Sequence, residues 1–443
     1  TMQPGDHTPN YTSLTDVTAW ACPDEKKSDF GMVERPTSMP QAESPAITPS
    51  DGGKVAKELA NPARNGRNAA RQRGRSKTGA HQGQRGPGPA PGTPTRITES
   101  RPAKSGHGDR GGWNARRAYA AIDLGTNNCR LLIAKPAADG FVVVDAFSRV
   151  VRLGEGLGQS GRLSDAAMDR AVAALSICAD KLRRRHVALA RSVATEACRK
   201  ASNGPAFIDR VRRETGIVLD IITAEEEARL AVLGCHILLE PGDGPALIFD
   251  IGGGSTELVL VDSSGPVPDI LDWMSVPWGV VTLTESERFD HDDPESRAAA
   301  YTRMRARVMD GFAPFARRLP ELPDAERRLL GTSGTVTTLA SLHLDLPCYN
   351  RDAIDGLIVP SESMRAISAR LAGMSLNQRR ELPCIGKERA DLVVAGCAIL
   401  ESILDIWPAM RLGVADRGIR EGILRALMGK DAPQPRSAHE QRA

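Results

Sequence analysis

Two short glycine turns carry the residues in this chain best suited to chemistry. Asp123-Leu-Gly-Thr-Asn-Asn128 follows the apolar run Tyr119-Ala-Ala-Ile122, and Asp250-Ile-Gly-Gly-Gly-Ser-Thr-Glu257 follows Ala246-Leu-Ile-Phe249. In each, an apolar strand ends in an aspartate. Glycine then lets the backbone turn tightly with no Cβ between it and a ligand. Successive N–H groups in such a turn form a cradle for an anion. The paired aspartates, Asp123 and Asp250, suit Mg²⁺, which takes a few carboxylates and fills its other positions with water and phosphate oxygens. The implied chemistry is phosphate binding beside a divalent cation.

The candidate phosphate-binding residues are Gly125, Thr126, Asn127, Asn128 and Arg130 in the first loop. The second loop offers Gly252, Gly253, Gly254, Ser255 and Thr256. An isolated Asp-x-Gly-Thr reads equally well as a hairpin turn, and Arg130 equally well as a surface arginine. Three consecutive glycines, by contrast, are costly in a strand connection unless something approaches the backbone. A third segment, Gly331-Thr-Ser-Gly-Thr335, adds Gly331, Ser333 and Gly334; alone it would be an ordinary helix cap. None of the loops has the lysine-bearing G-x-x-x-x-G-K-[ST] form.

Hydrolysis of a phosphoanhydride needs neutralised phosphate charge, an in-line water, and a group that orients or deprotonates that water. Glu225, Glu226 and Glu227 open a helix, where acids are favoured by the helix dipole. Glu227 shares a helical face with Leu230, Ala231 and Gly234, so it is expected to turn inward. The histidines are scattered, and no serine–histidine–acid arrangement is favoured.

The elements that must position these groups are legible in outline. Strands are expected over 119–124, 130–134, 141–146, 188–195, 217–222, 245–251, 257–261 and 267–276. Met168, Val172, Leu175, Ala179 and Leu182 mark one face of a helix that starts after Ser164. Further helices are expected over 205–214, 225–236, 294–318, 335–344, 387–405 and 418–428. The strand–turn–strand grammar near residue 122 returns near 250, an internal repeat. Two domains of similar fold, each giving one glycine loop to a shared cleft, is the simplest arrangement.

The ordered set of motifs resembles the exopolyphosphatase / guanosine pentaphosphate phosphohydrolase family, within the actin, sugar kinase and heat-shock ATPase superfamily. The matching segments are Ala121 to Arg130, Ala194-Thr-Glu-Ala-Cys-Arg199 with Asn203, and Glu226-Glu-Ala-Arg229. Asp250 to Glu257, Gly331 to Thr335, Arg389-Ala-Asp391 and Asp416 to Gly422 follow in order. The resemblance covers residues 118–430. It implies two ribonuclease-H-like, actin-like ATPase α/β domains around a central cleft, in the short two-domain form. It also implies that Glu227 is the catalytic base and that Glu257 assists with Asp123 and Asp250 at Mg²⁺ or the water. Arg199 is implied to face the cleft, where a guanidinium holds phosphate oxygens bidentately. Removal of the terminal phosphate of inorganic polyphosphate is the leading activity. Hydrolysis of guanosine pentaphosphate is the alternative, and a non-catalytic polyphosphate or nucleotide sensor is the reading from another class. A homodimer is implied by resemblance alone.

Composition sets the outer limits. The chain has 443 residues, a 41% hydrophobic fraction and a net charge of +3. That near-neutrality averages two unlike parts: residues 1–117 hold 18 Lys+Arg against 11 Asp+Glu, and the remainder is net acidic. Residues 1–117 are poor in large apolar residues and are expected to be a disordered, basic, low-complexity extension. That extension reads as a solvated tail or as an arm for polyanions, RNA or polyphosphate. Domain I is expected over 118–242 and domain II over 243–430, with the last helix packing back on domain I. A flexible tail is expected over 431–443. Eight cysteines without regular spacing argue against a zinc ribbon or a secreted disulfide scaffold. No apolar run approaches the ~18 residues of a spanning helix, and the first residues lack the order of a signal peptide. A cytoplasmic setting without membrane contact is expected.

Overall fold

The computed structural model describes residues 117–431, apart from 139 and 266. The expectations for 1–116 and 432–443 lie outside the described residues. The first lobe opens with β1 (Ala118–Leu124), β2 (Asn128–Ala137) and β3 (Gly140–Val150), an antiparallel meander. The short α1 (Leu157–Ser160) and the long α2 (Asp165–Arg184) follow, then β4 (Val187–Ala194), α3 (Glu196–Lys200) and α4 (Gly204–Thr215). β5 (Leu219–Ile221) completes a five-stranded sheet of order β3-β2-β1-β4-β5. α5 (Ala224–Cys235) leads out of the lobe.

The second lobe repeats this plan. β6 (Pro245–Ile251), β7 (Thr256–Asp262) and β8 (Asp269–Val276) form the second meander. They precede α6 (Val280–Ser286), α7 (Pro294–Ala316), β9 (Arg328–Thr332) and α8 (Gly334–His343). Then come α9 (Arg351–Ile354), β10 (Ile358–Pro360), α10 (Ser361–Gly373), α11 (Leu376–Arg380), α12 (Val393–Ile406), β11 (Arg411–Ala415) and α13 (Ile419–Asp431). The second sheet runs β10-β11-β9-β6-β7-β8. In both sheets the first strand pairs antiparallel with its hairpin partner and parallel with the strand beyond, β4 in one and β9 in the other.

Local chemistry accounts for the elements. β1 and β6 are covered on both faces, so their sequences read as nearly continuous apolar runs. α2 starts where the Ser164 side chain accepts from the Ala167 N–H, and it buries Met168, Val172, Leu175, Ala179 and Leu182. One expectation fails in part. The helix expected over 387–405 begins only at Val393, because residues 386–393 form successive turns in which Arg389 N–H bonds to Gly386 O and Leu392 N–H to Arg389 O. β10, α10 and β11 were not anticipated.

Two helices join the lobes. α5 buries Leu230 and Ala231 with residues of the first sheet, and Ala228, Val232 and Cys235 with residues of the second. α13 returns to the first sheet: Ile423, Leu424, Leu427 and Met428 pack with Tyr119, Ala121, Leu132 and Val193. The two helices meet at backbone distance. A Cβ on Gly234 would stand 1.9 Å from Gly418 O, and one on Gly422 would stand 2.0 Å from Leu230 O. Contacts also cross between the lobes elsewhere. Gly156 N–H donates to Glu285 Oε1 at 3.0 Å, and Arg152 pairs with Asp391 at 3.3 Å.

Candidate active site

The β1–β2 and β6–β7 turns together line a cleft of about 930 Å³, counting its open mouth. The two turns touch: a Cβ on Gly253 would lie 3.0 Å from Thr126 Cβ and 3.1 Å from the Asn127 nitrogen. One on Gly254 would lie 2.6 Å from Thr126 Oγ1. Glycine at 253 and 254 thus lets one lobe's loop seat against the other's, as well as baring N–H groups to the cleft. Asp123, Gly125, Thr126, Asn127, Asn128 and Arg130 all line the cleft. So do Glu227, Asp250, Gly252, Gly253, Gly254, Ser255, Ser333 and Gly334.

Register shows how the repeat was put to two uses. Asp123 stands opposite Arg130 in the first hairpin, and Asp250 stands opposite Glu257 in the second. Burial pushes Asp123 above the ordinary carboxylate range, with Arg130 and Arg420 opposing. Asp250 is pushed up to about 8, by burial first and by the Glu257 charge second.

The three consecutive glutamates are separated by their surroundings. Glu225 is exposed. Glu226 accepts from Arg191 at 2.8 Å, which holds it off the cleft. Glu227 is buried at the cleft wall. Its helix is fixed by the Thr223 side chain, which accepts from Glu226 N–H at 3.1 Å. Burial holds the Glu227 carboxyl well above its usual range, Glu257 and Asp123 add to the shift, and Arg199 opposes it. Both Arg199 contacts fall on Glu227 Oε2, at 3.0 Å each. Oε1 is left as the oxygen free to bind water.

Four sequence-expected residues stand elsewhere than at the cleft lining. Arg199 sits behind Glu227: it bonds Glu227, Glu196 and the Ile222 carbonyl, so its donors are directed at protein oxygens rather than at phosphate. Glu257 is buried behind the loop, with Oε1 accepting from Ser255 Oγ at 2.7 Å and Ser275 Oγ at 2.8 Å. Thr256 is fully buried and donates to Trp278 O. Gly331 lies within β9, where a Cβ would stand 2.3 Å from Phe249 Cζ; its smallness serves packing against that ring. Ser333 caps α8, accepting from Thr335 and Val336 N–H, even as it borders the cleft.

Sequence reading missed part of the lining. Glu196 and Arg389 border the cleft, and Val280, Ile385, Leu392 and Val393 give it an apolar wall. Only the family-like segments around Glu196 and Arg389 carried any signal for them.

The donor set bears on a divalent cation. Among the described residues no group of three or more acids, histidines or cysteines is placed to hold a metal. Asp123 and Asp250 nonetheless line one cleft, beside the buried and unpartnered oxygens of Thr126, Asn127 and Asn128. Two carboxylates with neighbouring neutral oxygens fit Mg²⁺, which keeps several waters and shares phosphate oxygens.

Comparison with known proteins agrees with this geometry. The profile of the Ppx/GppA phosphatase family matches residues 132–431. Exopolyphosphatase 2 of Mycobacterium tuberculosis is 32% identical over 323 residues, covering 70% of this chain and 98% of that protein. The crystal structure of the Aquifex aeolicus member of the Ppx/GppA family matches with a TM-score of 0.59 at 27% identity, over 72% of this chain and 99% of that one. An exopolyphosphatase from Cytophaga hutchinsonii shares the fold, with a TM-score of 0.64 at 24% identity over 71% and 98% of the two chains. A family match over residues 132–431 and a relative at 32% identity covered almost end to end place this chain in the Ppx/GppA phosphatase family, to which it belongs.

Proposed function

We propose that this protein is an exopolyphosphatase that hydrolyses the terminal phosphoanhydride of inorganic polyphosphate and releases orthophosphate. The observation that carries the reading is Glu227. It is a buried carboxyl with one oxygen fixed by Arg199 and the other free, on the wall of a cleft floored by two glycine anion cradles. Burial raises its pKa, the direction that makes a carboxylate a stronger base.

In this reading the backbone N–H groups of residues 126–128 and 253–255 hold the terminal phosphate, those of Gly125 and Gly252 being taken by Asn128 O and Ser255 O within the turns, and Arg130 offsets its charge. Water bonded to Glu227 Oε1 attacks phosphorus opposite the bridging oxygen. Its proton passes to Glu227 as the new P–O bond forms, and the bridging P–O bond breaks. Orthophosphate and a chain shorter by one unit leave. Asp123 and Asp250 would hold Mg²⁺, which neutralises charge on the phosphates when bound.

One observation favours guanosine pentaphosphate as a second substrate. The apolar wall of Val280, Ile385, Leu392 and Val393 offers a surface that a nucleoside can use and a bare polyphosphate does not need. The reading extends to a homodimer in the cytoplasm, with the basic extension contacting polyanions. The seven cysteines among the described residues are free, which supports a reducing compartment. Among those residues no helix is long and apolar enough to cross a membrane.

The test is phosphate release with Mg²⁺ from long-chain polyphosphate and from guanosine pentaphosphate at equal terminal phosphate. Wild type should release phosphate from polyphosphate preferentially. Glu227→Ala should lower kcat by about 10²–10⁴-fold while polyphosphate binding persists. Full turnover by that variant would remove Glu227 as the base.

A further inference from the structure

Glu196 has no part in the mechanism above, yet it is a buried carboxylate that borders the cleft beside the base. A bare carboxylate in an anion-binding cleft would repel the substrate. Here both of its oxygens are committed to cations. Oε2 accepts from Arg199 Nε at 3.0 Å and from Arg199 Nη2 at 2.6 Å, and Oε1 pairs with Lys200 Nζ at 2.7 Å. Its stem is confined from the opposite lobe as well. A Cβ on Gly254 would fall 2.9 Å from Glu196 Cγ, so only glycine at 254 leaves room for it.

The consequence falls on Arg199. Nε is taken by Glu196, Nη1 by Ile222 O at 2.7 Å and by Glu227, and Nη2 by both glutamates. The guanidinium is therefore saturated by protein oxygens and held from two sides, and a rigid fork of this kind fixes the carboxylate it binds. Without Glu196, Nε and part of Nη2 lose their acceptor. The guanidinium then keeps only Ile222 O and Glu227 and is held from one side, so Glu227 loses its fixed orientation.

We propose that Glu196 is a positioning residue for Glu227 and acts through the guanidinium of Arg199 that the two carboxylates share. This rests on the reading of Glu227 as the base. The charged groups that bear on Glu227 are Glu257, Asp123 and Arg199, with Glu196 and Lys200 acting by way of Arg199.

The experiment uses the full-length protein, long-chain polyphosphate and Mg²⁺, with Glu196→Ala and Glu196→Gln compared with wild type. Glu196→Ala should lower kcat by about 10–100-fold, the scale of a small misplacement of a reacting group, with KM unchanged. Glu196→Gln keeps the shape and removes the charge. Arg199 then favours the Glu227 carboxylate undivided, so the acidic limb of the kcat–pH profile should move to lower pH. A merely structural role would move neither the kcat-to-KM split nor that limb. Should Glu196→Ala fail to fold, the isosteric Glu196→Gln decides the question. Wild-type kcat and an unmoved limb in Glu196→Gln would overturn the proposal while leaving Glu227 as the base. No phosphate release by the folded wild type would overturn the function itself.

Discussion

Residues of one type divide by surroundings, and the division decides which of them can do chemistry. Glutamates 225, 226 and 227 are neighbours in sequence, but the second is held by Arg191 and only the third is buried at the cleft. Helical spacing made that choice legible, because 227 shares a face with apolar residues. Glycines divide in the same way, and here sequence was silent. Gly253 and Gly254 pack against the opposite loop, whereas Gly331 packs against the Phe249 ring. Gly331→Ala would drive a methyl into that fully buried ring, so it should destabilise the fold by about 1–3 kcal/mol, the usual cost of overpacking. Thermal unfolding measures this, and kcat and KM per folded molecule should stay at wild-type values. A raised KM with an unchanged Tm would return Gly331 to the phosphate site.

Elements were legible where they repeat a simple period. Both hairpins, α2 and α5 stand within a few residues of expectation, because alternating or fully apolar strands and an i, i+3, i+4 stripe leave clear patterns. α10 did not, since only Met364 and Leu371 are its buried large apolar residues. β10 and β11 are three and five residues long and are defined by their partners rather than by their own sequence. The contact of α5 with α13 was invisible for a related reason. Gly234 and Gly422 lie far apart in sequence, and a glycine inside a helix reads locally as a weakness. In the fold each meets a carbonyl or backbone atom that has no rotamer to escape into. Gly422→Ala should therefore push α13 off α5 at Leu230, one turn from Glu227. A Tm loss equivalent to about 1–3 kcal/mol is expected, together with a kcat loss of about tenfold or more as Glu227 shifts. Calorimetry and steady-state kinetics on the same preparation check both. Wild-type values in both would mean that the helices separate without cost.

At the scale of the whole molecule, the two lobes meet where negative charge gathers. Asp123, Glu227, Asp250 and Glu257 come from both lobes, and burial raises the pKa of each. A carboxyl whose folded value exceeds its unfolded one takes up protons on folding, so its contribution to stability is full at low pH and fades as pH rises. For Asp250 the ordinary value is 3.8 and the folded one about 8, so the loss runs across the interval between them. Without divalent cations, Tm should fall between about pH 5 and pH 8. Asp250→Asn, which has no proton to lose, should flatten part of that slope. A cation that binds the ionised pair competes with those protons, so Mg²⁺ should raise Tm more at pH 8 than at pH 5. Differential scanning fluorimetry over that range, with and without Mg²⁺, measures all three effects. Equal stabilisation by Mg²⁺ at both ends would place the cation away from Asp123 and Asp250, and a wild-type slope in Asp250→Asn would mean that Asp250 is not the group whose proton is lost there. Agreement of sign would tie the acidic seam between the lobes to the Mg²⁺ site proposed at Asp123 and Asp250.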